Sequence, residues 1–428
     1  MVPANASVSF DAVRLDASSR RPQNIIVLIS DGCGPASFTM ARDYARKTGL
    51  RDELYLDQIL VGAIRTNSAN REITDSAAAA TAFACGVKAN HQAVGVDVNG
   101  APAKSVLEVA EDLGMATGVV ATKAITDATP AAFTAHVAHR YDDEPEIAVQ
   151  QISGGFDLLF GGGLNSFLPE GSGGRRKDGR DLLGEAAELG YNVIRDRSSW
   201  DSVTELPVLA LLADRHLSFE IDRDESKQPS FPEIVSKAID LLDDDPDGFF
   251  LVAEGSLIDI AGHANDAAAH LHDILAYDDA VKVALDFARA NENTLVVSVS
   301  DHETGGLTIG RSYRWDPEVL GRIRSSHNIV RTQLQSSSDR TEEILAQSFG
   351  IDDLSKDELD RVHAASSTNA MNGALSTIVG DRAGIDWTSF GHTAVDVNVY
   401  AFGPGSANFA GHNDNTLIGQ VLHQLLVN

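Results

Sequence analysis

The chain has 428 residues, of which 43% are hydrophobic and 36 are glycine, so it can bury a large core and is typical of a globular protein. Its 62 acidic residues outnumber 34 basic ones, and the formal net charge of −28 disfavours nucleic acid as a partner. No apolar run is long enough to predict a transmembrane helix, and two cysteines, Cys33 and Cys85, exclude a disulfide framework.

The acidic excess has a particular make-up: 42 Asp and 20 Glu stand against 25 Arg and only 9 Lys. Short, hydrated carboxylates with little lysine indicate adaptation to salt. Salt relieves the self-repulsion because the screening length falls from about 10 Å at 0.1 M to about 3 Å at 1 M. The alternative is an ordinary acidic protein, and activity measured from low to molar salt separates the two.

The first 23 residues are predicted to form an N-terminal arm. They lack a basic segment followed by a continuous apolar run, so no signal peptide is visible in this chain, although a removed signal would leave no trace. From residue 24 to residue 428 we predict one α/β domain.

Continuous apolar runs alternate with helical patterns along this domain, as is typical of buried parallel strands in an α/β fold. Strands are predicted at 24–30, 117–122, 249–253, 294–300 and 397–402. Helices are predicted at 37–45, 76–84, 105–112, 131–139 and 266–290. Two stretches, 154–229 and 303–390, interrupt the alternation and are interpreted as insertions over one sheet. Because ligands bind beyond the carboxyl ends of such strands, the acids found there are expected to converge.

Ser76 is the first candidate for chemistry. It follows Asp75 and opens a run of small residues, Ser76-Ala77-Ala78-Ala79-Ala80, that is predicted to form a helix. The free amides and positive dipole end of a helix favour an anion, so this hydroxyl is well placed to meet a phosphate. Taken alone, such a run is more often simply a helix.

Carboxylates and imidazoles follow several of the predicted strands. The residues at strand ends are Asp31, Glu254, Asp301 and His302. Asp259 and His263 are four residues apart, so on a helix they share one face, and His392 stands apart in Gly391-His392-Thr393. Zinc accepts carboxylate and imidazole ligands in catalytic sites, and the all-oxygen subset of Asp31, Thr129 and Glu254 suits magnesium. Singly these residues are more often caps or core residues; together they predict a multi-metal phosphate site.

These motifs resemble those of the alkaline phosphatases, from about Asn24 to the C-terminus. The matching segments are Ile29-Ser30-Asp31-Gly32, Thr74-Asp75-Ser76-Ala77-Ala78, Asp127-Ala128-Thr129-Pro130 with Arg140, Glu254-Gly255-Ser256-Leu257-Ile258-Asp259 with His263, Asp301-His302-Glu303-Thr304-Gly305-Gly306, and Gly391-His392-Thr393.

The resemblance implies a three-layer α/β/α sandwich around a large, mostly parallel sheet, and hydrolysis of many phosphate monoesters through a phosphoserine at Ser76. It also implies two Zn²⁺ and one Mg²⁺. The ligands it assigns are Asp259, His263 and His392 for one zinc, Asp31, Asp301 and His302 for the other, and Asp31, Thr129 and Glu254 for magnesium, with Asp127 acting through water. Arg140 would bind two phosphate oxygens as a fork, a geometry that lysine does not offer.

Members of this family are usually exported dimers. The resemblance therefore implies a homodimer with a periplasmic or secreted location, in which residues 303–390 form a small crown-like insertion at the dimer interface.

Some positions depart from the family pattern. Ile260 stands where some members have Lys, His or Trp, so a polar contact toward phosphate is missing, and Asp127 in place of histidine favours magnesium at the third site. Four further histidines, His136, His139, His270 and His272, are reserve ligands for which structural roles are expected, the first two beside Arg140 on one helix.

Two other kinds of function compete with this interpretation. A phosphodiesterase or sulfatase of the same superfamily shares a related metal platform, but Arg140 with the magnesium group favours a monoester dianion. A sulfatase would need a Cys-x-Pro-x-Arg segment, and Cys33-Gly34-Pro35-Ala36-Ser37 ends in serine. A non-catalytic phosphate or metal-storage protein would keep the ligands without a nucleophile, and Ser76 argues against it.

Overall fold

The computed structural model describes residues 21–427, so most of the predicted N-terminal arm lies outside the described residues. The strands of this part are β1 (Asn24–Ser30), β2 (Leu60–Arg65), β3 (Ala116–Ala124), β4 (Leu158–Gly162), β5 (Asn192–Ile194), β6 (Val208–Leu211), β7 (Phe249–Gly255), β8 (Thr294–Val299), β9 (Glu303–Thr304), β10 (Leu307–Ile309), β11 (Ile385–Trp387), β12 (His392–Thr393), β13 (Val397–Phe402) and β14 (Gly411–Asp414).

The α-helices of residues 21–427 are α1 (Pro35–Thr48), α2 (Ser76–Cys85), α3 (Val106–Asp112), α4 (Ala128–Thr134), α5 (Glu144–Ser153), α6 (Leu164–Phe167), α7 (Leu182–Glu188), α8 (Arg197–Ser202), α9 (Phe231–Leu242), α10 (Leu257–His263), α11 (Ala267–Asn291), α12 (His327–Ser336), α13 (Thr341–Phe349), α14 (Lys356–Ala364), α15 (Thr368–Ala383) and α16 (Thr416–Val427). Each of these helices is too short or too polar to cross a membrane.

Residues 21–427 are organised by a ten-stranded sheet, in the order β14-β2-β13-β8-β1-β7-β3-β4-β6-β5. Every neighbouring pair is parallel except those of β13, which runs antiparallel to both β2 and β8. The predicted mostly parallel sheet is therefore confirmed, and each of the five predicted strands lies in it.

The central strand β1 shows how the sheet is covered on both faces. Its alternate residues Ile26 and Leu28 join one hydrophobic cluster, with side chains of α1, α9 and α11, while Ile25, Val27 and Ile29 join a second one, with α2, α4 and α16. Successive side chains of a strand point to opposite faces, so the two clusters are two helical layers around one sheet. The predicted three-layer arrangement is confirmed.

The stretch 154–229 was expected to be an insertion over the sheet, and this is corrected by the structure. It contributes β4, β5 and β6, which form one edge of the ten-stranded sheet. Strands of three to five residues between polar, glycine-rich loops give a weak periodic signal, which explains why the sequence pattern missed them.

Residues 303–390 do stand apart from the central sheet. They contain α12 to α15, and their strands do not join the ten-stranded sheet. β10 pairs with β11, and β9 pairs with β12, which begins at His392, just after this stretch.

The helix expected at 131–139 was placed wrongly, because α4 ends at Thr134. The chain continues in extended form, where Val137 pairs with Val94. His136 is held by the Gly95 carbonyl and by Glu108, so tertiary pairing outweighs the local helical preference here.

Candidate active site at the carboxyl ends of the central strands

Several of the predicted site residues lie at the carboxyl ends of four adjacent strands, β8, β1, β7 and β3. Asp31 directly follows β1, Glu254 lies near the end of β7, and Asp301 comes two residues after β8. Gly32 has φ of 75°, and a Cβ at this position would lie 2.8 Å from the Asp259 Cα. The glycine therefore permits the close approach of β1 and α10 that the site requires.

Beyond the carboxyl ends of these strands lies a cavity of about 900 Å³. Its lining includes Ser76, Asp127, Arg140, Asp259, His263 and His392, together with Lys123, Ile260 and His216. Most of the predicted site residues therefore meet in one open pocket.

Ser76 is the first residue of α2. Asp75 caps the helix by accepting a hydrogen bond from the Ala78 amide at 3.3 Å. The serine is buried, at 2% exposure, and its Oγ lies 3.2 Å from Nε2 of His302. The hydroxyl thus stands at the positive end of the helix and beside one of the predicted ligand groups.

The group of Asp259, His263 and His392 directs three lone-pair atoms at one point. His263 Nδ1 lies 2.6 Å from the carbonyl oxygen of Phe390, and His392 Nδ1 lies 2.9 Å from that of Thr74. A carbonyl oxygen only accepts, so each Nδ1 carries a proton, and Nε2 is the ring nitrogen left to bind an ion. Burial, with the nearby His302, lowers the pKa of His392 to about 4, which keeps its ring neutral.

The spacing of these atoms fits a tetrahedral ion. The two Nε2 atoms are 3.1 Å apart, and Asp259 Oδ1 lies 3.3 Å from that of His263 and 3.6 Å from that of His392. A zinc ion with bonds of about 2.0–2.1 Å spaces its ligand atoms about 3.3 Å apart. This donor set therefore fits zinc, because lone pairs this close repel unless a cation lies between them.

The second group surrounds the His302 ring. Asp301 Oδ2 lies 3.1 Å and Asp31 Oδ1 lies 3.7 Å from His302 Nε2. Both oxygens are buried, and within residues 21–427 neither has a hydrogen-bond partner. Burial, with the charges of Asp259 and Asp301, raises the pKa of Asp31 well above its ordinary value. Crowded carboxylates of this kind fit a bound cation.

Thr304 connects the two groups and was not identified from the sequence. Its hydroxyl donates to Asp259 Oδ1 at 2.7 Å and lies 3.2 Å from His302 Nδ1. Against the effect of burial, Asp301 raises the pKa of His302, and in the neutral ring with Nδ1 protonated, Nδ1 donates to the hydroxyl and Nε2 is the inward lone pair. In the sequence Thr304 belongs to the motif Asp301-His302-Glu303-Thr304, in which only Asp301 and His302 are predicted as metal ligands.

The all-oxygen group fits a hard cation only in part. Thr129 Oγ1 and Glu254 Oε1 are buried and, among residues 21–427, have no hydrogen-bond partner. Burial raises the pKa of Glu254 to about 7, as expected for a carboxyl without its counter-ion. The third predicted ligand, Asp31, differs, since its Oδ2 already accepts a hydrogen bond from Lys123 at 2.6 Å.

Lys123 is a further residue of the site that the sequence analysis missed. It lies at 4% exposure near the end of β3, and its Nζ donates to Asp31 Oδ2 at 2.6 Å and to Asp259 Oδ2 at 2.8 Å. Burial alone would lower the pKa of Lys123, but Asp259 and Asp31 raise it well above its ordinary value, so the ammonium is charged. In the sequence, a single lysine among the apolar and small residues of 116–124 indicates a charged group on a buried strand.

Arg140 reaches the pocket from the extended segment after α4. Its Nη2 donates to Asp127 Oδ1 at 2.6 Å, and its Nη1 lies 3.5 Å from Asp75 Oδ2. Asp127 also caps α4 by accepting from the Ala128 amide at 2.8 Å. Burial would raise the pKa of Asp127, but Arg140 and Lys123 outweigh it and lower the value to about 2. The guanidinium is therefore held at the cavity wall by two carboxylates.

The reserve histidines lie outside both ligand groups. His270 is fully buried between the Ile258 carbonyl and the Ser37 hydroxyl, and burial lowers its pKa to about 4. His139 bonds to Gln92, at 2.6 Å. These contacts are structural ones.

Residues 22–427 match the family model of alkaline phosphatase. The repressible alkaline phosphatase of Saccharomyces cerevisiae is 39% identical over 467 aligned positions, which cover 96% of this chain and 82% of that protein. The crystal structure of a cold-active alkaline phosphatase from Shewanella sp. is 33% identical, with a TM-score of 0.86 over 95% of this chain and 100% of that one.

A third similar structure is that of an alkaline phosphatase from the Antarctic bacterium TAB5 in which a histidine is replaced by aspartate and magnesium is bound in the M3 site. It is 30% identical, with a TM-score of 0.70 over 95% of this chain and 99% of that one.

The fold is a three-layer α/β/α sandwich with a pocket at the carboxyl ends of its central strands, and the family match extends over nearly the whole described chain. The chain belongs to the alkaline phosphatase family. It is a phosphoric monoester hydrolase.

Proposed function

We propose that the protein hydrolyses phosphate monoesters of broad specificity through a covalent phosphoserine at Ser76, on a site that holds two Zn²⁺ and one Mg²⁺ per subunit. The observation that carries the proposal is the convergence of His263 Nε2, His392 Nε2 and Asp259 Oδ1 within 3.6 Å of one another. A nucleophilic hydroxyl at a helix N-terminus borders the neighbouring group, 3.2 Å from His302.

The ions would be held by three groups of side chains. The groups are Asp259, His263 and His392 for one zinc, Asp31, Asp301 and His302 for the second, and Thr129, Glu254 and Asp31 for magnesium. When bound, these ions supply the positive charge that lowers the pKa of the serine hydroxyl and neutralises the departing alcohol oxygen.

Asp127 bears on the identity of the third cation. The aspartate variant of the TAB5 enzyme binds magnesium in its M3 site. In this chain burial and the charge of Asp127 raise the pKa of the nearby Glu254, and the Asp127 carboxylate, which the family resemblance assigns to the third cation through water, supports the assignment of magnesium.

Ser76 and Arg140 carry the covalent steps. The Ser76 Oγ attacks phosphorus in line with the departing oxygen, the P–O bond to the alcohol breaks, and a phosphoserine forms. Arg140 donates from both Nη atoms to two non-bridging phosphate oxygens. Water then attacks phosphorus from the vacated side, which releases inorganic phosphate and restores the hydroxyl.

The exposure of residues that line the pocket supports broad specificity. The groups that hold substrate all contact the phosphoryl end, whereas Ile73 and Tyr141 at the cavity rim are 47% and 61% exposed. Alcohols of different size can leave into this open rim.

The assembly, location and salt response are proposed from the family and the composition. We propose an exported homodimer, with residues 303–390 as its crown-like interface, and an enzyme adapted to salt by its net charge of −28. Sedimentation across a series of salt concentrations tests the dimer, and a monomer at every concentration contradicts it.

Metal removal and restoration tests the central proposal. Turnover of p-nitrophenyl phosphate is measured before chelation, after it, and after Zn²⁺ and Mg²⁺ are returned, with bis(p-nitrophenyl) phosphate as the diester control. We expect loss and recovery of monoester turnover and much slower diester cleavage. Full activity of metal-free protein, or preference for the diester, would overturn the proposal.

A further inference from the structure

Lys123 lies between the carboxylates that the proposed function assigns to metal ions. The four oxygens of Asp31 and Asp259 divide by direction. The two Oδ1 atoms face the histidines, at 3.7 Å from His302 Nε2 and 3.3 Å from His263 Nε2, whereas both Oδ2 atoms accept from the Lys123 ammonium. The lysine thus engages the side of each carboxylate that points away from the two zinc groups.

This division has a specific consequence for the third cation. Asp31 would serve the second zinc and magnesium most simply with Oδ1 toward one ion and Oδ2 toward the other. The Oδ2 is the atom that Lys123 holds, at 2.6 Å, while Thr129 Oγ1 and Glu254 Oε1 are unpaired within residues 21–427. The magnesium group therefore has two unpaired oxygens, whereas its third oxygen is shared with the Lys123 ammonium.

The ammonium is fixed at this place by its surroundings. Lys123 is on a central strand, its side chain is 5% exposed, and its two carboxylate partners are themselves buried, at 1% and 6% side-chain exposure. A charged lysine this deeply buried needs a carboxylate partner, so leaving Asp31 for water is costly. A magnesium ion that approaches Asp31 Oδ2 must displace this contact and meets a like charge.

Resting on the proposed function, we propose that Lys123 competes with magnesium for Asp31 Oδ2, so that the third cation of this enzyme binds weakly beside two firmly bound zinc ions. Lys123 is then a positioning residue: it holds Asp31 and Asp259 so that each turns Oδ1 toward a zinc group. The charge that magnesium would bring to the outer side of Asp31 is supplied by the chain itself.

The test measures magnesium binding directly, with magnesium alone as the probe. Protein loaded with two zinc ions is dialysed against a magnesium series, and bound metal is counted by mass spectrometry for wild type, Lys123→Met, Lys123→Arg and Lys88→Met. We expect millimolar binding in wild type and at least about tenfold tighter binding in Lys123→Met, since a repelling charge is removed. Lys123→Arg keeps the charge and should resemble wild type.

Lys88→Met is the matched control, because Lys88 is also partly buried and bonded to a carboxylate, Asp414, outside the cavity lining. It should bind magnesium as wild type does. A general structural defect would weaken binding, so tighter binding in Lys123→Met is a result that damage to the fold does not produce.

If Lys123→Met fails to fold, measurements of magnesium binding and activity on the wild-type protein still test the proposal. Micromolar magnesium binding by wild type, or a large gain in the activity of the two-zinc form at micromolar magnesium, would overturn the proposal. So would unchanged or weaker magnesium binding in a folded Lys123→Met. Failure of wild type to bind zinc would instead refute the proposed function, and this inference with it.

Discussion

Substitution of Arg140 tests the account of phosphate binding. Arg140 is 8% exposed at the cavity wall, and two of its nitrogens already face carboxylates, at 2.6 Å and 3.5 Å. Two charge-assisted hydrogen bonds to phosphate are worth about 1.5–3 kcal/mol each. Since Asp127 competes for the guanidinium, the lower end applies to both bonds, so Arg140→Ala should cost about 3 kcal/mol, or roughly 150-fold in kcat/KM for a monoester.

The assay compares kcat/KM for a monoester and a diester, and inhibition by inorganic phosphate, in Arg140→Ala, Arg140→Lys and Arg51→Ala. Arg140→Lys keeps the charge without the fork and should lose roughly tenfold. Arg51 is a partly buried arginine paired with the buried Asp278 at 2.7 Å outside the cavity lining, so its removal should lower stability and leave kcat/KM unchanged. Equal losses for monoester and diester in Arg140→Ala, or unchanged phosphate inhibition, would refute the reasoning.

Three further predictions follow from other parts of the site and surface. Thr304→Val removes the hydroxyl that bonds to Asp259 at 2.7 Å, and should weaken zinc binding about 10–100-fold in competition with a coloured chelator, whereas Thr308→Val, at an exposed threonine, should not. In metal-free protein the pKa of Glu254 is raised to about 7, so the free energy of unfolding is highest below pH 4.5 and falls as pH rises through about 7. Glu254→Gln cannot ionise, so in urea titrations its free energy of unfolding should fall by about 3 kcal/mol less than that of wild type. An identical pH profile in both proteins would contradict that assignment. The net charge of −28 predicts a higher melting temperature at 1 M than at 0.05 M salt, and a flat profile would count against salt adaptation.

The parts of the fold that could be predicted from sequence are those with an unbroken apolar signal. Strands β1, β7 and β8 are fully buried runs, so their positions could be predicted to within two residues, although β7 continues to Gly255 and includes Glu254. The short strands β5 and β6 depend on their neighbours in the sheet rather than on local pattern. The end of α4 likewise depends on Val94, a residue distant in sequence that pairs with Val137.

The candidate site divides in the same way. Residues at a recognisable spacing, such as Asp259 and His263, could be predicted as metal ligands because the local sequence alone places them on one face of a helix. Lys123 and Thr304 could not be given roles, since their contacts are set by how β3 and β9 approach α10. A buried lysine becomes informative only when its partners are known to be buried carboxylates.

Trapping of the intermediate tests the central claim most directly. Zinc-loaded enzyme is mixed with a phosphate monoester, quenched in acid and digested, and peptides are analysed for a phosphoryl group. The account predicts phosphate on Ser76 in wild type, and in Ser76→Ala no phosphopeptide and turnover reduced by several orders of magnitude. Unlabelled Ser76 during rapid turnover, or normal monoester hydrolysis by Ser76→Ala, would contradict it.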